Sequence, residues 1–369
     1  MIFMKRTAAA LITAIFITLS ACSPAGEAKP AEGGIITGVW ISCYELYNML
    51  ESENFKEIFA AAAGRMSEFG ISDAFVHVRA FGDSLFDSEY YPRNSRTLGF
   101  DFDVMQYMVD VLKKKKIRFH AWINPFRTAD GGFNSPADEK VRRDIVCGVR
   151  EILNNYDVDG IHIDDYFYPP SDAEIDKNEY ESYRASAENA ATTEEYRKAN
   201  VTSLIFAVKN AIKRVKPEAV FSISPAADIN KNENEAFADV RYWCENAAAD
   251  MIIPQLYFGF DYPDESFRFE KLLDDWRSIK RADGVKLVIG IPEYKLGTDS
   301  GPDAEEWREG VDLPAKQVAR VLECGDVSGV CFFSYSSLFG DSPLRSAARG
   351  KVNEVIKKAA AAKTAADLI

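Results

Sequence analysis

From Ile35 onward the chain repeats one unit eight times: a short apolar strand, a loop, then an amphipathic helix. That repeat, in somewhat over 300 residues, predicts an α/β fold, a (β/α)8 TIM barrel with long loops at the C-terminal face of the strands. Loop lengths point the same way. Links from a helix back to the next strand are short, as at 70–73 and 216–219, whereas those leaving strand C-termini are long, at 81–102, 126–137, 166–192 and 293–313. A doubly wound open sheet is the rival architecture, but no Gly-rich phosphate fingerprint follows the first strand.

In order, strand 36–42 precedes helix 55–69, and strand 74–79 precedes helix 103–115. The Lys113–Lys116 run closes that helix, where cations suit the negative end of the dipole. Strand 118–124 precedes helix 139–154, and strand 160–164 precedes helix 193–215. Strands 220–224, 251–257, 287–292 and 330–334 precede helices 236–247, 267–279, 314–323 and 343–358. The fourth strand organises the rest: apolar and polar residues alternate, two adjacent carboxylates follow, and Pro169-Pro170 close an aromatic turn that cannot continue a ladder.

Composition and the N-terminus set the address. A hydrophobic fraction of 47% is ample for a core, and a formal charge of −13 argues against nucleic acid, anionic lipid surfaces and strongly anionic polymers. Lys5-Arg6, an apolar run from Ala8 to Leu19 and Leu19-Ser20-Ala21-Cys22 resemble a bacterial lipoprotein signal with its lipobox. The expected division is a signal peptide over 1–21, lipidated Cys22 with a flexible tether over 22–34, the barrel over 35–360 and a tail over 361–369. The resemblance implies cleavage before Cys22 and an extracytoplasmic chain held to a bacterial lipid bilayer by that lipid alone. Beyond Cys22, five cysteines without CxxC pairing argue for free thiols rather than a disulfide framework, with a Cys324–Cys331 bridge conceivable.

Side chains alternate between faces along a strand, so His162 and Asp164 point inward while Ile161 and Ile163 point outward. The same rule turns His77 and Arg79 inward on the second strand, and His120, Trp122 and Asn124 on the third. On the sixth it selects Gln255 and Tyr257; on the seventh, Ile289, Ile291 and Glu293. The chain's three histidines thus form either a hydrogen-bonded polar core or a three-imidazole metal site, and no HxH or HExxH pair supports the second. Glycoside hydrolysis needs two carboxyl groups across the scissile bond, one ionised and one protonated. Asp164 is the first. Glu293 ranks first as the second, ahead of Asp165, Asp83 and Asp228; Asp165 is expected to turn toward the loop, and Arg79 is one candidate partner for Asp164. Aromatics at the strand ends, among them Tyr44, Phe81, Trp122, Tyr166, Tyr257 and Tyr294, would form a sugar platform.

Several motifs resemble the bacterial glycosyl hydrolase-like 10 lipoproteins: Gly38-Val39-Trp40-Ile41, Val78-Arg79 with Gly82-Asp83, His120 through Arg127, Asp159 through Pro169, Ser222-Ile223-Ser224-Pro225 and Pro254-Gln255-Leu256-Tyr257. The resemblance implies a TIM-barrel glycosidase acting on cell-wall glycan. The fourth strand is also similar to the alpha-amylase clan, whose Gly-x-x-x-Asp ends in the nucleophile; Gly160 to Asp164 places Asp164 there. After the fifth strand, where that clan carries a Glu acid, this chain has Ser224-Pro225-Ala226-Ala227-Asp228, and where the family's seventh strand ends Ala-Tyr-Lys it has Glu293-Tyr294-Lys295. The general acid is therefore unassigned. The expectation is a glycoside hydrolase for a polysaccharide such as peptidoglycan glycan strands, needing no cofactor and no metal. Asp164, Glu293 and Asp165 would be catalytic, and Arg79, His77, His120, Trp122, Asn124, His162, Tyr166, Gln255 and Tyr257 would hold sugar. Two alternatives stand beside it: a non-catalytic glycan-binding lipoprotein, and a metal-dependent hydrolase or deacetylase using His77, His120 and His162.

Overall fold

The computed structural model describes residues 34–169 and 172–366, so the signal peptide, Cys22 and all but the last residue of the tether lie outside the described residues. Eight parallel strands close into a barrel in sequence order. They are β1 Ile36–Ile41, β2 Asp73–Arg79, β3 Arg118–Ile123, β4 Gly160–Ile163, β5 Val220–Ile223, β6 Met251–Ile252, β7 Lys286–Ile291 and β8 Gly329–Phe332. β8 pairs back onto β1, with Gly329 opposite Ile36, which leaves no sheet edge to protect. β6 is much shorter than the apolar run 251–257 suggests. Pro254 has no N–H to give to a ladder, and pairing resumes only as single bridges at Gln255, to Ala226 and Gly290.

The helices are α1 Cys43–Leu50, α2 Phe55–Phe69, α3 Val104–Lys114, α4 Glu139–Asn155, α5 Lys177–Ser186, α6 Thr193–Val215, α7 Ile229–Asn234, α8 Val240–Glu245, α9 Phe269–Ser278, α10 Ala304–Arg308, α11 Leu313–Leu322, α12 Tyr335–Leu338 and α13 Pro343–Ala366. The expected eight are present, and α13 continues into the stretch expected as tail. α1, α5, α7, α10 and α12 are additions inside the loops that leave the strands. Most are too short to show a helical period; caps define two of them. Ser42 and Glu45 form a capping box on α1, and Glu45 also accepts from Ser334 Oγ at 2.7 Å and Ser336 N at 2.6 Å, tying the β1 and β8 loops together. Asp228 caps α7. Among the described residues no helix is long and apolar enough to cross a membrane.

Two apolar layers follow from strand alternation. Val39, Ile41, Val76, Ile161, Ile163, Ile223, Ile289 and Ile291 face the helices in one continuous core, whereas Ile36, Trp40, Phe75, Trp122, Met251, Ile253, Val288 and Cys331 fill the lumen. Here the seventh strand departs from expectation: Val288 points inward and Ile289 and Ile291 outward. Leu287-Val288-Ile289 is apolar on both faces, so its composition carries no phase. Gly290 does, because a side chain there would press on Pro254 O at 2.9 Å and on the Trp40 ring. Cys331 in the lumen and Cys324 in the helical layer lie in different clusters, so no bridge joins them; all five described cysteines are free.

The lower lumen is polar and organised around one carboxylate. Asp73 receives Arg118 through both oxygens, at 2.7 and 2.6 Å, and His120 Nε2 at 2.8 Å. Burial alone would raise its pKa, but the His120 and Arg118 hydrogen bonds outweigh burial and hold it far below the usual range. His120 stacks on Phe75 at 4.6 Å. The chain makes room for it with Gly160, since a Cβ there would overlap the His120 ring and the Val220 carbonyl.

Candidate active site

At the C-terminal mouth the strand ends surround a cleft of about 250 Å³. Of the residues singled out in the sequence, His77, Trp122, Asn124, Asp164, Asp165, Tyr166, Gln255 and Tyr257 line it. Arg79, His120, His162 and Glu293 do not. Each exception has a local cause.

Arg79 is turned out by a bulge. His77 pairs with Trp122, but the next pair is Arg79 with Ile123, so Val78 is an extra residue and the alternation slips by one. The Arg79 guanidinium donates to the Asn124 carbonyl and lies over the Tyr91 ring at 4.3 Å; Tyr91 in turn donates to Asp144 O of α4 at 3.1 Å. It therefore packs between barrel and helix and does not pair with Asp164. Glu293, expected inward, begins a short 3-10 turn after β7. It is 2% exposed, and burial raises its pKa to about 7 against the pull of Arg345 and Arg349. The cations that act on it belong to α13, and it does not line the cleft that holds Asp164. Asp83 accepts from Asn94 at 2.6 Å, and Asp228 is occupied in its cap.

The histidines occupy two levels. His77, Trp122 and His162 are register partners, while His120 sits two residues deeper against Asp73. His162 accepts at Nε2 from Trp40 Nε1 at 3.0 Å and from Ser224 Oγ at 3.2 Å. An indole only donates, so the His162 proton is on Nδ1, which donates to Ser222 Oγ at 2.8 Å. Burial, with His120 and His77 nearby, lowers its pKa well below the ordinary value. It is a neutral strut beneath the floor. His77 stacks flat on Trp122, centroids 3.8 Å apart, and burial pushes its pKa down to about 3. The three imidazoles thus fail to converge, and among the described residues no group of three His, Cys, Asp or Glu side chains has the spacing of a metal site.

Asp164 and Asp165 are the carboxyl groups of the cleft lining among the described residues. Burial raises both. Asp164, beside the charge of Asp165, rises well above the ordinary range despite a contact from Tyr166 N at 3.4 Å and the proximity of the Trp122 indole and Arg127. Asp165 also rises through burial, but Gln255, Lys231 and Arg127 oppose it. Of the pair, Asp164 is the one whose surroundings most favour the protonated form, and Asp165 the one with more support for its charge. The direction of the shift runs against the ionised role expected for Asp164, and Asp165 lines the cleft rather than only its loop.

Arg127, absent from the sequence-derived set, is the cation of this lining. Its guanidinium lies 4.5 Å from the Tyr166 ring centroid and 5.1 Å from that of Phe81. Its signal was present, as the last residue of the third-strand motif, three past Asn124. Ser42, Cys43, Ser224 and Phe333 also line the cleft. The Phe333–Ser334 peptide is cis. Tyr44, Tyr166 and Tyr294 are 67%, 38% and 41% exposed, and all three line the cleft. Phe126 and Phe167, aromatics of the same strand ends, are core residues.

Residues 127–308 match the family model described as glycosyl hydrolase-like 10. The glycosyl hydrolase YngK of Bacillus subtilis is 27% identical over 300 residues, which covers 67% of this chain and 58% of YngK. The glycosyl hydrolase DigH of Escherichia coli K12 is 26% identical over 325 residues, 73% of each chain. Two solved structures share the fold. The PgaB (BpsB) glycoside hydrolase domain from Bordetella bronchiseptica has a TM-score of 0.62 at 10% identity, covering 87% of this chain and 99% of its own. The endo-1,4-beta-mannanase from Rhizomucor miehei has 0.59 at 14%, covering 90% and 97%.

Proposed function

We propose that this chain, a relative of the glycosyl hydrolase-like 10 proteins, hydrolyses glycosidic bonds in a polysaccharide, with Asp164 as the proton donor. The observation that carries the reading is the adjacent carboxyl groups of Asp164 and Asp165 in an aromatic-walled cleft, where burial raises both pKa values and takes that of Asp164 well above the ordinary range. A leaving glycosidic oxygen needs a proton, and a carboxyl group keeps one at neutral pH only where burial and a neighbouring charge raise its pKa. Exposed Tyr44, Tyr166 and Tyr294 supply rings on which apolar sugar faces stack. His77, Trp122, Asn124, Gln255 and Tyr257 then orient the sugar.

The substrate we favour is the glycan strand of peptidoglycan. The lipoprotein signal supports this, since a lipidated Cys22 would place the barrel outside the cytoplasm, tethered within reach of the wall. Absence of a carboxylate facing Asp164 across the described cleft favours a second reading, a glycan-binding lipoprotein without turnover. The deciding experiment is release of reducing ends from purified peptidoglycan, with and without stem peptides, by the chain from residue 34 and by its Asp164→Asn variant. Loss of activity in the variant supports the enzyme, and equal activity removes Asp164 from the mechanism. Glycan binding without release by a folded wild type selects the second reading.

A further inference from the structure

Hydrolysis by two enzyme carboxyl groups requires them on opposite sides of the sugar, about 5–5.5 Å apart for retention or 6.5–9.5 Å for inversion. The described lining of this cleft offers two, on consecutive residues at the end of one strand, so both rise from the same wall. Other acids near the mouth lie outside this lining. Glu293 is buried toward Arg345 and Arg349, Glu45 accepts from Ser42, Ser334 and Ser336, and Asp83 and Asp228 hold Asn94 and the α7 cap. The donor has a place, but among the described residues the lining holds no carboxylate from another wall to act as nucleophile or base on the far side of the sugar.

We infer that the nucleophile is supplied by the substrate: the sugar cleaved at its anomeric carbon carries a 2-acetamido group whose carbonyl oxygen attacks that carbon. This rests on the reading of the cleft as a glycosidase site. In the first step the acetamide oxygen bonds to C1 and the C1–O glycosidic bond breaks. Its electron pair leaves with the aglycone oxygen, which takes the Asp164 proton. The product is a cyclic oxazolinium ion, and ionised Asp165 accepts the hydrogen bond of its N–H, stabilising the positive charge. In the second step a water oxygen bonds to C1, its proton passes to Asp164, and the ring opens to restore the acetamide. Atoms and charge balance with water as the sole co-reactant, and two inversions at C1 give net retention. Gln255 and Arg127 support the Asp165 charge, and Trp122 beside Asp164 walls the site.

The test uses the full-length chain in detergent and glycan strands freed of stem peptides, de-N-acetylated and then re-acylated with either acetyl or trifluoroacetyl groups. Acetyl should restore hydrolysis with retention. De-N-acetylated strands should be slower by at least about 1,000-fold, because an intramolecular nucleophile is worth an effective molarity of roughly 10⁵–10⁸ M. Trifluoroacetyl strands, similar in shape but with a poorer nucleophile, should also be much slower. Equal rates on acetyl and trifluoroacetyl strands, inversion, or a covalent glycosyl adduct on Asp164 or Asp165 would each overturn the inference. Should no strand be cleaved, calorimetry with a 2-methylthiazoline sugar, a stable mimic of the cyclic ion, separates the two claims. Binding that is lost in Asp165→Asn keeps the acetamide site while the glycosidase reading fails; no binding by wild type sinks the site as well.

Discussion

Glu293→Gln separates the placement of this residue from the catalytic role its sequence position suggests. Its carboxyl is 2% exposed, with Oε1 unpaired and a pKa raised from 4.5 to about 7. Because the folded state binds this proton more tightly than the unfolded chain, the stability it contributes is complete below pH 4.5 and is lost as pH rises toward 7. At about 1.4 kcal/mol per pH unit, the loss is ~3 kcal/mol. An amide of the same shape never ionises, so the variant should match wild type at pH 4.5 and exceed it by up to that amount at pH 8, read by urea denaturation at both pH values. Activity should persist: Arg345 clamps this turn through backbone carbonyls, including those of Glu293 at 2.8 Å and Leu296 at 2.9 Å, and these survive the substitution. A general acid would instead lose roughly 10²–10⁴-fold in rate. Such a loss in a folded variant, or a stability difference independent of pH, would refute the placement.

Three further outcomes are expected. Asp164→Asn should lower kcat by at least about 10²-fold while raising stability at neutral pH, because it removes a buried ionisable group; activity assays and melting curves on one preparation check both. Gly160→Ala should destabilise by roughly 1–3 kcal/mol through overlap with His120, whereas Gly64→Ala, with open space around it, should not. Asp73→Asn should cost about 3 kcal/mol by leaving His120 and Arg118 without their carboxylate, at the low end of such losses because the Arg118 side chain is 48% exposed. Asp73 has a depressed folded pKa. Its contribution is therefore present above pH 4 and fades as pH falls below it, so wild type and variant should converge in acid denaturation.

Much of this was legible in the chain. Eight strand–helix units, the loop asymmetry and the inward His162 and Asp164 are local or period-two signals, and closure in sequence order follows from them. The family model over 127–308 and relatives named glycosyl hydrolases agree with the family resemblance, and the solved structures agree with the fold. Phase was illegible where it lacked a local signal. β7 is apolar on both faces, so only its neighbours decide which one meets the lumen. A bulge at Val78 reverses Arg79 without changing any residue type.

By itself, then, the sequence determined the architecture and the position of the carboxyl pair, because hydrophobic periodicity fixes which elements form and strand ends fix where their loops emerge. Tertiary structure decided the chemistry of the pair. Whether Asp164 keeps a proton depends on burial and on Asp165, Arg127 and the Trp122 indole, and whether Glu293 meets the sugar depends on a turn held by α13. Those interactions join residues far apart along the chain, and free energy in a cleft depends on distance and dielectric rather than on order in sequence.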